Sequence, residues 1–165
     1  MKIAGRLILV VILAALGFWL YTIFFPNLEK VVLKRVASLA KTVTVTPNDG
    51  NITRAAKVSS IISYFSTDAE IHVEGPEIGN KSITGRDEIR EIAAGGMANV
   101  SSLSVQFDDA TAHIGADKQS AEVDCTARVS VKDSKDFGIQ ELRIQLKKVE
   151  GDWLITKVET VKTLQ

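Results

Sequence analysis

Histidine and cysteine, which are common at metal and proton-transfer sites, are few in this sequence, and they do not cluster. The 165-residue chain contains two histidines, His72 and His113, and one cysteine, Cys125. Neither a His-x-His nor a His-Glu-x-x-His spacing occurs, and metal sites in proteins need several such ligands together. A lone cysteine can form neither an intrachain disulfide nor a cysteine-based zinc site. The sequence therefore predicts no metal and no cofactor.

The remaining acid–base candidates lie in and beside one short predicted strand. Residues 68–74 alternate between apolar and polar side chains, a pattern typical of a strand with one buried face. His72 and Glu74 fall on the polar side, and Tyr64 precedes the strand. At a pocket they could polarise or deprotonate a ligand; elsewhere they are exposed or structural residues. We predict no catalytic residue, and we take Tyr64, His72, Glu74 and Cys125 as candidate pocket residues.

The C-terminal part of the chain predicts four antiparallel strands, at 102–114, 120–131, 140–149 and 152–161. An irregularity is expected at Asp108-Asp109. The inward-facing side chains of the middle two strands offer no ionisable group except one thiol; they are Ala121, Val123, Cys125, Ala127, Leu142, Ile144 and Leu146. Proton-transfer sites need titratable groups beside the ligand, so these strands argue against acid–base catalysis.

The outward-facing side chains of the same two strands carry opposite charges. They are Glu122, Asp124, Arg128, Glu141 and Arg143. Opposite charges on neighbouring strands stabilise a sheet by about 0.2–1 kcal/mol per pair, which suits a face exposed to water. The same charges would suit the polar part of an interface with a second copy of the chain or with a membrane-complex partner. The sequence leaves both interpretations open.

Three helices are predicted before these strands, and their spans are 28–42, 52–65 and 86–94. Asn27 is a suitable cap for the first helix. The periodicity of the second predicts that Ala55 is buried. Gly95-Gly96 is expected to end the third.

This order of elements resembles the nuclear transport factor 2-like superfamily, also called SnoaL-like or cystatin-like α+β. Three sequence phrases carry the resemblance, "YFSTDAEIHVEGP" at 64–76, "ITGRDEIREI" at 83–92 and "KKVEGDWLITKVE" at 147–159. The resemblance implies an α+β cone in which three helices pack on a curved, mostly antiparallel sheet. It also implies that a pocket can remain at the wide end of the cone.

The resemblance leaves the activity open, because the superfamily includes ketosteroid isomerases, polyketide cyclases and non-catalytic assembly domains. Its isomerases place a general-base carboxylate just before a proline that follows the first strand. The position that corresponds here is Gly75, which has no side chain. We therefore expect a non-catalytic binding or assembly module. The alternative is an isomerase- or cyclase-type enzyme that acts on an apolar ligand.

The N-terminal region predicts a single-pass membrane anchor. The nineteen residues 7–25 contain no charged side chain, and as a helix they would span about 29 Å, close to the thickness of a bilayer's hydrocarbon core. A cleaved signal peptide and a buried core helix are the alternatives, but cleavage would expose an apolar terminus and a core helix would keep a polar stripe. The chain thus divides into a tail and transmembrane helix, 1–26, and a domain, 27–165.

The location of the domain follows from the arrangement of the chain more than from its charges. Lys2 and Arg6 precede the apolar run, but four basic residues follow it closely, so the count of positive charges does not favour one side; they are Lys30, Lys34, Arg35 and Lys41. A short N-terminal tail before a long folded domain suits a signal anchor with its N-terminus in the cytoplasm. We therefore expect residues 27–165 in the periplasm of a bacterium, held at the inner membrane. These residues carry two more acidic than basic side chains, so nucleic acid is an unsuitable partner.

Overall fold

The computed structural model of the chain describes residues 27–75, 79–131 and 137–161, together with Ile12 and residues 14–16. Most of the predicted anchor, and with it the predicted orientation, lies outside the described residues. Ile12 and residues 14–16 are helical. Among the helices of the described part of the chain, none is both long enough and apolar enough to cross a membrane. The sequence predicts four helices including the anchor, and the structure describes three complete ones.

The three helices are α1 (Leu28–Val43), α2 (Asn51–Ile62) and α3 (Arg86–Asn99). Helix α1 begins as predicted, because the Asn27 side chain accepts a hydrogen bond of 3.0 Å from the Lys30 backbone N–H. Helix α2 ends three residues earlier than predicted, because Phe65 already belongs to the first strand. The prediction that Ala55 is buried is wrong, since Ala55 lies on the exposed side of α2.

Helix α3 continues through Gly95-Gly96, where the sequence predicted its end. Neither glycine adopts the positive φ that a glycine helix cap requires. Beyond them, the side chain of Met97 is buried, and its carbonyl accepts a hydrogen bond from the guanidinium of Arg54. Tertiary contacts thus extend a helix that local propensity would stop.

Six strands form one sheet within the described residues, in the order β2-β1-β6-β5-β4-β3. They are β1 (Phe65–Gly75), β2 (Gly79–Thr84), β3 (Leu103–Ile114), β4 (Ser120–Val131), β5 (Phe137–Val149) and β6 (Asp152–Thr160). Among these six described strands, only β1 and β6 pair in parallel, so the prediction of a mostly antiparallel sheet is confirmed. Strand β2 was not predicted, because its sequence GNKSIT contains one apolar side chain and shows no alternation.

The three helices cover one face of this sheet, which is the face that the alternation of β4 and β5 predicted. Val123, Ile144 and Leu146 are at most 1% exposed, whereas their outward neighbours are partly or fully exposed. All buried apolar side chains in the described part of the chain lie between Val32 and Ile155. The domain therefore has a hydrophobic core of its own, as an independently folding domain requires.

Irregularities in the strands curve the sheet. The pairing of β3 with β4 shifts between Asp108 and Thr111, and Asp109 has a φ of 53°, which confirms the predicted irregularity. A second shift interrupts the pairing of β5 with β6 after Gln145. Bulges of this kind bend strands and increase their twist. The sheet is therefore concave towards the helices and leaves space under α3.

Candidate functional site

An open cavity of about 430 Å³ lies between helix α3 and the concave face of the sheet. Every side chain on its wall is apolar. The wall comprises Leu39, Val43, Ile61, Phe65, Ile71, Ile83, Ile89, Ile92, Ala93, Gly96, Met97, Leu103, Val105, Phe107, Ala127, Val129 and Leu142. This composition and volume are typical of a small-molecule site.

Small residues contribute to the wall of the cavity at positions where larger side chains would reduce its volume. Ala93 and Gly96 of α3 lie on one side and Ala127 of β4 on the other. A Cβ atom added at Gly96 would meet nothing within 4 Å. Ile92, also on the wall, is 49% exposed, so apolar surface reaches the solvent at the rim.

The wall of the cavity provides no side chain that can donate a proton, accept one, or attack a ligand as a nucleophile. Proton-transfer chemistry requires such a group within hydrogen-bonding reach of the ligand. Among the residues that the structure describes, no group of three or more His, Cys, Asp or Glu side chains could hold a metal ion. The arrangement can bind and desolvate an apolar ligand.

Tyr64, a candidate pocket residue, does not belong to the cavity wall. Its ring packs under the guanidinium of Arg35, whose central carbon is 4.3 Å from the ring centroid. Its hydroxyl is 3.5 Å from the Thr42 hydroxyl. Arg35 also donates to the carbonyls of Ser63 (2.9 Å) and Trp153 (3.1 Å). Tyr64 therefore forms part of a structural cluster that joins α1 to the sheet.

His72 and Glu74 lie on the outer face of the sheet, on the opposite side of β1 from the wall residue Ile71. The His72 imidazole is 3.2 Å from the Glu70 carboxylate. The carboxylate of Glu74 accepts a hydrogen bond of 3.1 Å from the Asn80 side chain. The structure places neither side chain at the cavity.

Cys125 faces inward from β4, but it does not belong to the cavity wall. Its side chain is buried. Burial raises the pKa of the Cys125 thiol to about 11, and the negative charge of Asp124 contributes in the same direction. Cys125 is therefore a protonated core residue at neutral pH, and thiols in this state are poor nucleophiles.

The charged residues of the predicted interface form ion pairs on the outer face. Arg143 lies 2.9 Å from Asp124 and 3.3 Å from Glu122, and the hydrogen bond to Asp124 raises the pKa of Arg143. Arg128 pairs with Asp108 of β3 at 3.0 Å. The fifth predicted residue, Glu141, is exposed on the same face, opposite Thr126.

Two further charged residues, both on β6, extend this network. Glu159 stands directly opposite Arg143 on β5 and His72 on β1. Lys157 lies 2.6 Å from Glu159. The alternation of polar and apolar side chains in β6 is visible in the sequence. Which residues of β1 lie beside Lys157 and Glu159 depends on the parallel pairing of β1 with β6.

The residues that α3 contributes to the cavity wall were also missed. Ile89, Ile92 and Gly96 follow one another at helical spacing, and this spacing was the available signal. It predicts an apolar helix face, but it does not distinguish a filled core from an open cavity.

No protein-family model matches the chain, and no curated protein matches it. Solved structures do match. An NTF2-like protein of unknown function from Pseudomonas putida KT2440 superimposes with a TM-score of 0.64 at 12% identity, over 83% of this chain and 87% of that one. A protein of unknown function with a cystatin-like fold from Nostoc punctiforme superimposes with a TM-score of 0.60 at 14% identity, over 85% of this chain and 96% of that one.

A third solved structure is a protein from Novosphingobium aromaticivorans to which scytalone dehydratase activity is provisionally assigned. It gives a TM-score of 0.60 at 15% identity, over 82% of this chain and 83% of that one. Identities this low establish the fold and leave the activity open. The chain has the NTF2-like, cystatin-like fold, and the resemblance drawn from its sequence is confirmed at that level.

Proposed function

We propose that this NTF2-like, cystatin-like domain is a non-catalytic module that binds an apolar small molecule in the cavity under α3. One observation carries the proposal: the cavity has the volume of a ligand site, and its wall is apolar throughout. Each square ångström of apolar surface removed from water contributes about 25 cal/mol. A polar group buried without a partner costs about 1–3 kcal/mol. The cavity thus favours ligands whose buried part is hydrocarbon.

The second candidate is an enzyme that acts on an apolar ligand, and the likeness to the provisional scytalone dehydratase favours it. Such an enzyme needs a titratable side chain beside its ligand. Tyr64, His72 and Glu74 were the best-placed candidates, and each of them contacts partners away from the cavity. We therefore prefer binding without catalysis.

The proposal includes the membrane anchor predicted from residues 7–25, with the domain outside the cytoplasm. It rests on the uncharged run in the sequence. Alkaline phosphatase fused after Gln165 should be active in a bacterial host, and a cytoplasm-only fluorescent reporter at the same position should be dark. The reverse pattern would contradict the orientation, and both reporters in the soluble fraction would contradict the anchor.

The binding proposal is tested with the domain 27–165 and the neutral fluorophore Nile red. We expect Nile red fluorescence to rise on binding to the unaltered domain. Gly96→Phe adds a ring at the wall of the cavity and should abolish the rise. Gly95→Phe is the matched control: Gly95 is the neighbouring glycine of the same helix and is exposed like Gly96, but it does not belong to the wall.

Two results would contradict this proposal. In one, the domain binds neither Nile red nor any other apolar probe. In the other, Gly95→Phe and Gly96→Phe reduce binding equally although both variants keep the circular dichroism spectrum of the unaltered domain. Turnover of a bound apolar ligand would instead favour the enzyme.

A further inference from the structure

Helix α1 carries three lysines on the side that faces away from the core. One residue turns a helix by about 100°, so Lys30, Lys34 and Lys41 project within about 40° of one another. All three side chains are exposed. We call them the lysine stripe, and it is about 17 Å long. The stripe lies roughly opposite the buried residues of the helix, which are Val32, Val36, Leu39 and Ala40.

The charge of the lysine stripe has no partner within α1 itself. Glu29 is the one acidic residue in this helix. It precedes Lys30 by one position and therefore projects about 100° away from it. In the part of the chain that the structure describes, none of the three lysines belongs to an ion pair.

Two carboxylates on the sheet lie near the stripe without neutralising it. Asp152 of β6 lines a pocket together with Lys34, but the two do not form an ion pair. Asp108 of β3 lines a groove together with Lys41, and its carboxylate pairs with Arg128 at 3.0 Å. The stripe therefore presents positive charge to a partner outside α1, and it suits an anionic surface.

The stripe follows closely on the apolar run that predicts the anchor. Residues 7–25 contain no charged side chain, and only Pro26 and Asn27 separate them from the first residue of α1. From residue 25 to residue 28 an extended chain spans at most about 11 Å. This length is close to the distance of about 10 Å over which charges interact in 0.1 M salt. An anchor at 7–25 would therefore hold α1 within reach of lipid headgroups.

We infer that the lysine stripe docks the domain on anionic headgroups of the bilayer that the anchor enters, so that α1 lies along the membrane surface. The inference rests on the anchor in the proposed function and adds the contact that orients the domain. Each lysine next to an anionic membrane should raise the ratio of docked to undocked domain about fivefold. Three lysines should therefore raise it on the order of a hundredfold.

The test uses the full chain in nanodiscs of phosphatidylcholine alone and of equal parts phosphatidylcholine and phosphatidylglycerol. Ala37→Cys places a nitrobenzoxadiazole label on the exposed side of α1, between the lysines. The native Cys125 does not compete for the label, because it is buried and its pKa is raised to about 11. A lipid with a nitroxide on its headgroup quenches the label when α1 lies on the bilayer.

We expect strong quenching at Ala37→Cys in the anionic discs and weak quenching in the neutral ones. About 1 M salt should remove the difference, because the screening length falls to about 3 Å. The same label at Ser130→Cys should be quenched in neither disc, since Ser130 is exposed on the outer face of the sheet.

Replacing the three lysines of the stripe by glutamine should lower the quenching in anionic discs to the level of the neutral discs. Replacing them by arginine should preserve it, because the positive charge remains. The matched control removes three exposed basic side chains outside α1, through Lys81→Gln, Arg90→Gln and Lys147→Gln. This control should leave the quenching unchanged.

The outcomes separate this inference from the proposed function. Three results would contradict the docking and leave the anchor standing. They are equal quenching in the two kinds of disc, quenching that persists in the glutamine variant of the stripe, and equal quenching at Ala37→Cys and Ser130→Cys. If the full chain is recovered in the soluble fraction instead of the discs, the anchor itself is contradicted. The Nile red experiment tests the binding function independently of both.

Discussion

The guanidinium of Arg54 lies 2.7 Å from the carbonyl oxygen of Val100, so a side chain of α2 binds the backbone just beyond the end of α3. The same guanidinium donates to the carbonyls of Met97 and Asp49. The last carbonyls of a helix have no partner within the helix. Arg54 supplies that partner and thereby holds the helix that forms one wall of the cavity.

Arg54→Ala should lower the free energy of unfolding by about 1–3 kcal/mol, because it leaves carbonyls at the end of α3 without their partner. Urea denaturation of the domain 27–165 measures the loss. Arg90→Ala is the control, since Arg90 is exposed and pairs with Asp87 one turn away on the same helix. An equal loss in the two variants would show that Arg54 does not hold α3.

Gly96→Ala should raise the free energy of unfolding by about 1 kcal/mol, because alanine is the better helix former and the added Cβ meets nothing within 4 Å. Gly151→Ala should instead lower it by about 1–2 kcal/mol, because Gly151 has a φ of 98°. Thermal and urea denaturation would show whether stability rises in Gly96→Ala and falls in Gly151→Ala. A loss of stability in Gly96→Ala would mean that the space at Gly96 is filled.

Val123→Asp should lower the free energy of unfolding by about 3 kcal/mol or more, because Val123 is fully buried and an unpaired carboxylate there is desolvated. Asp124→Val, one residue along the strand, should cost little, since Asp124 forms a partly exposed ion pair with Arg143. Equal melting temperatures for the two variants would contradict the assignment of the inner and outer faces.

The domain should lose stability in acid when the Asp49 carboxylate becomes protonated. The hydrogen bond from Lys57, at 2.5 Å, and a backbone N–H of Thr46 lower the pKa of Asp49 from 3.8 to about 2. A carboxyl whose pKa is lower in the folded state stabilises the fold above its unfolded pKa and loses this contribution as the pH falls. The loss should therefore occur between pH 4 and pH 2.

Asp49→Asn should remove this part of the pH dependence, which urea denaturation at a series of pH values would detect. Asp87→Asn is the control, because Asp87 is almost fully exposed. If the pH profile of Asp49→Asn matched that of the unaltered domain, the ion pair with Lys57 would not contribute to acid stability.

The outer face of the sheet remains a proposed interface between two copies of the chain, through Glu122, Asp124, Arg128, Glu141 and Arg143. Sedimentation equilibrium of the domain should then show a dimer. Arg143→Glu should shift it towards the monomer, because it sets a third carboxylate beside Asp124 and Glu122. Arg90→Glu, on the helix side, should leave the dimer intact. A monomer at every concentration would contradict the interface.

Local patterns in the sequence were enough to predict the helices and strands in which buried and exposed positions recur at a regular spacing. Strand β4 and residues 142–147 of β5 alternate between apolar and polar side chains, so the burial of Val123 and Ile144 followed from a period of two. Helix α1 begins at a side-chain cap that is visible in the sequence at Asn27. The inner faces of these strands carry no ionisable group except the Cys125 thiol, which was visible in the same way and supported the argument against acid–base chemistry.

Only the tertiary structure decided the features that depend on which faces meet. Strand β2 exists because β1 offers it an edge, although GNKSIT has no strand pattern. Helix α3 passes through Gly95-Gly96 because Met97 is buried beyond them and Arg54 binds its end. The cavity has small residues of α3 and β4, Gly96 and Ala127, in the same wall, and no local pattern relates these two residues. Whether such a residue is buried depends on neighbours from distant parts of the sequence, and these come together only when the chain folds.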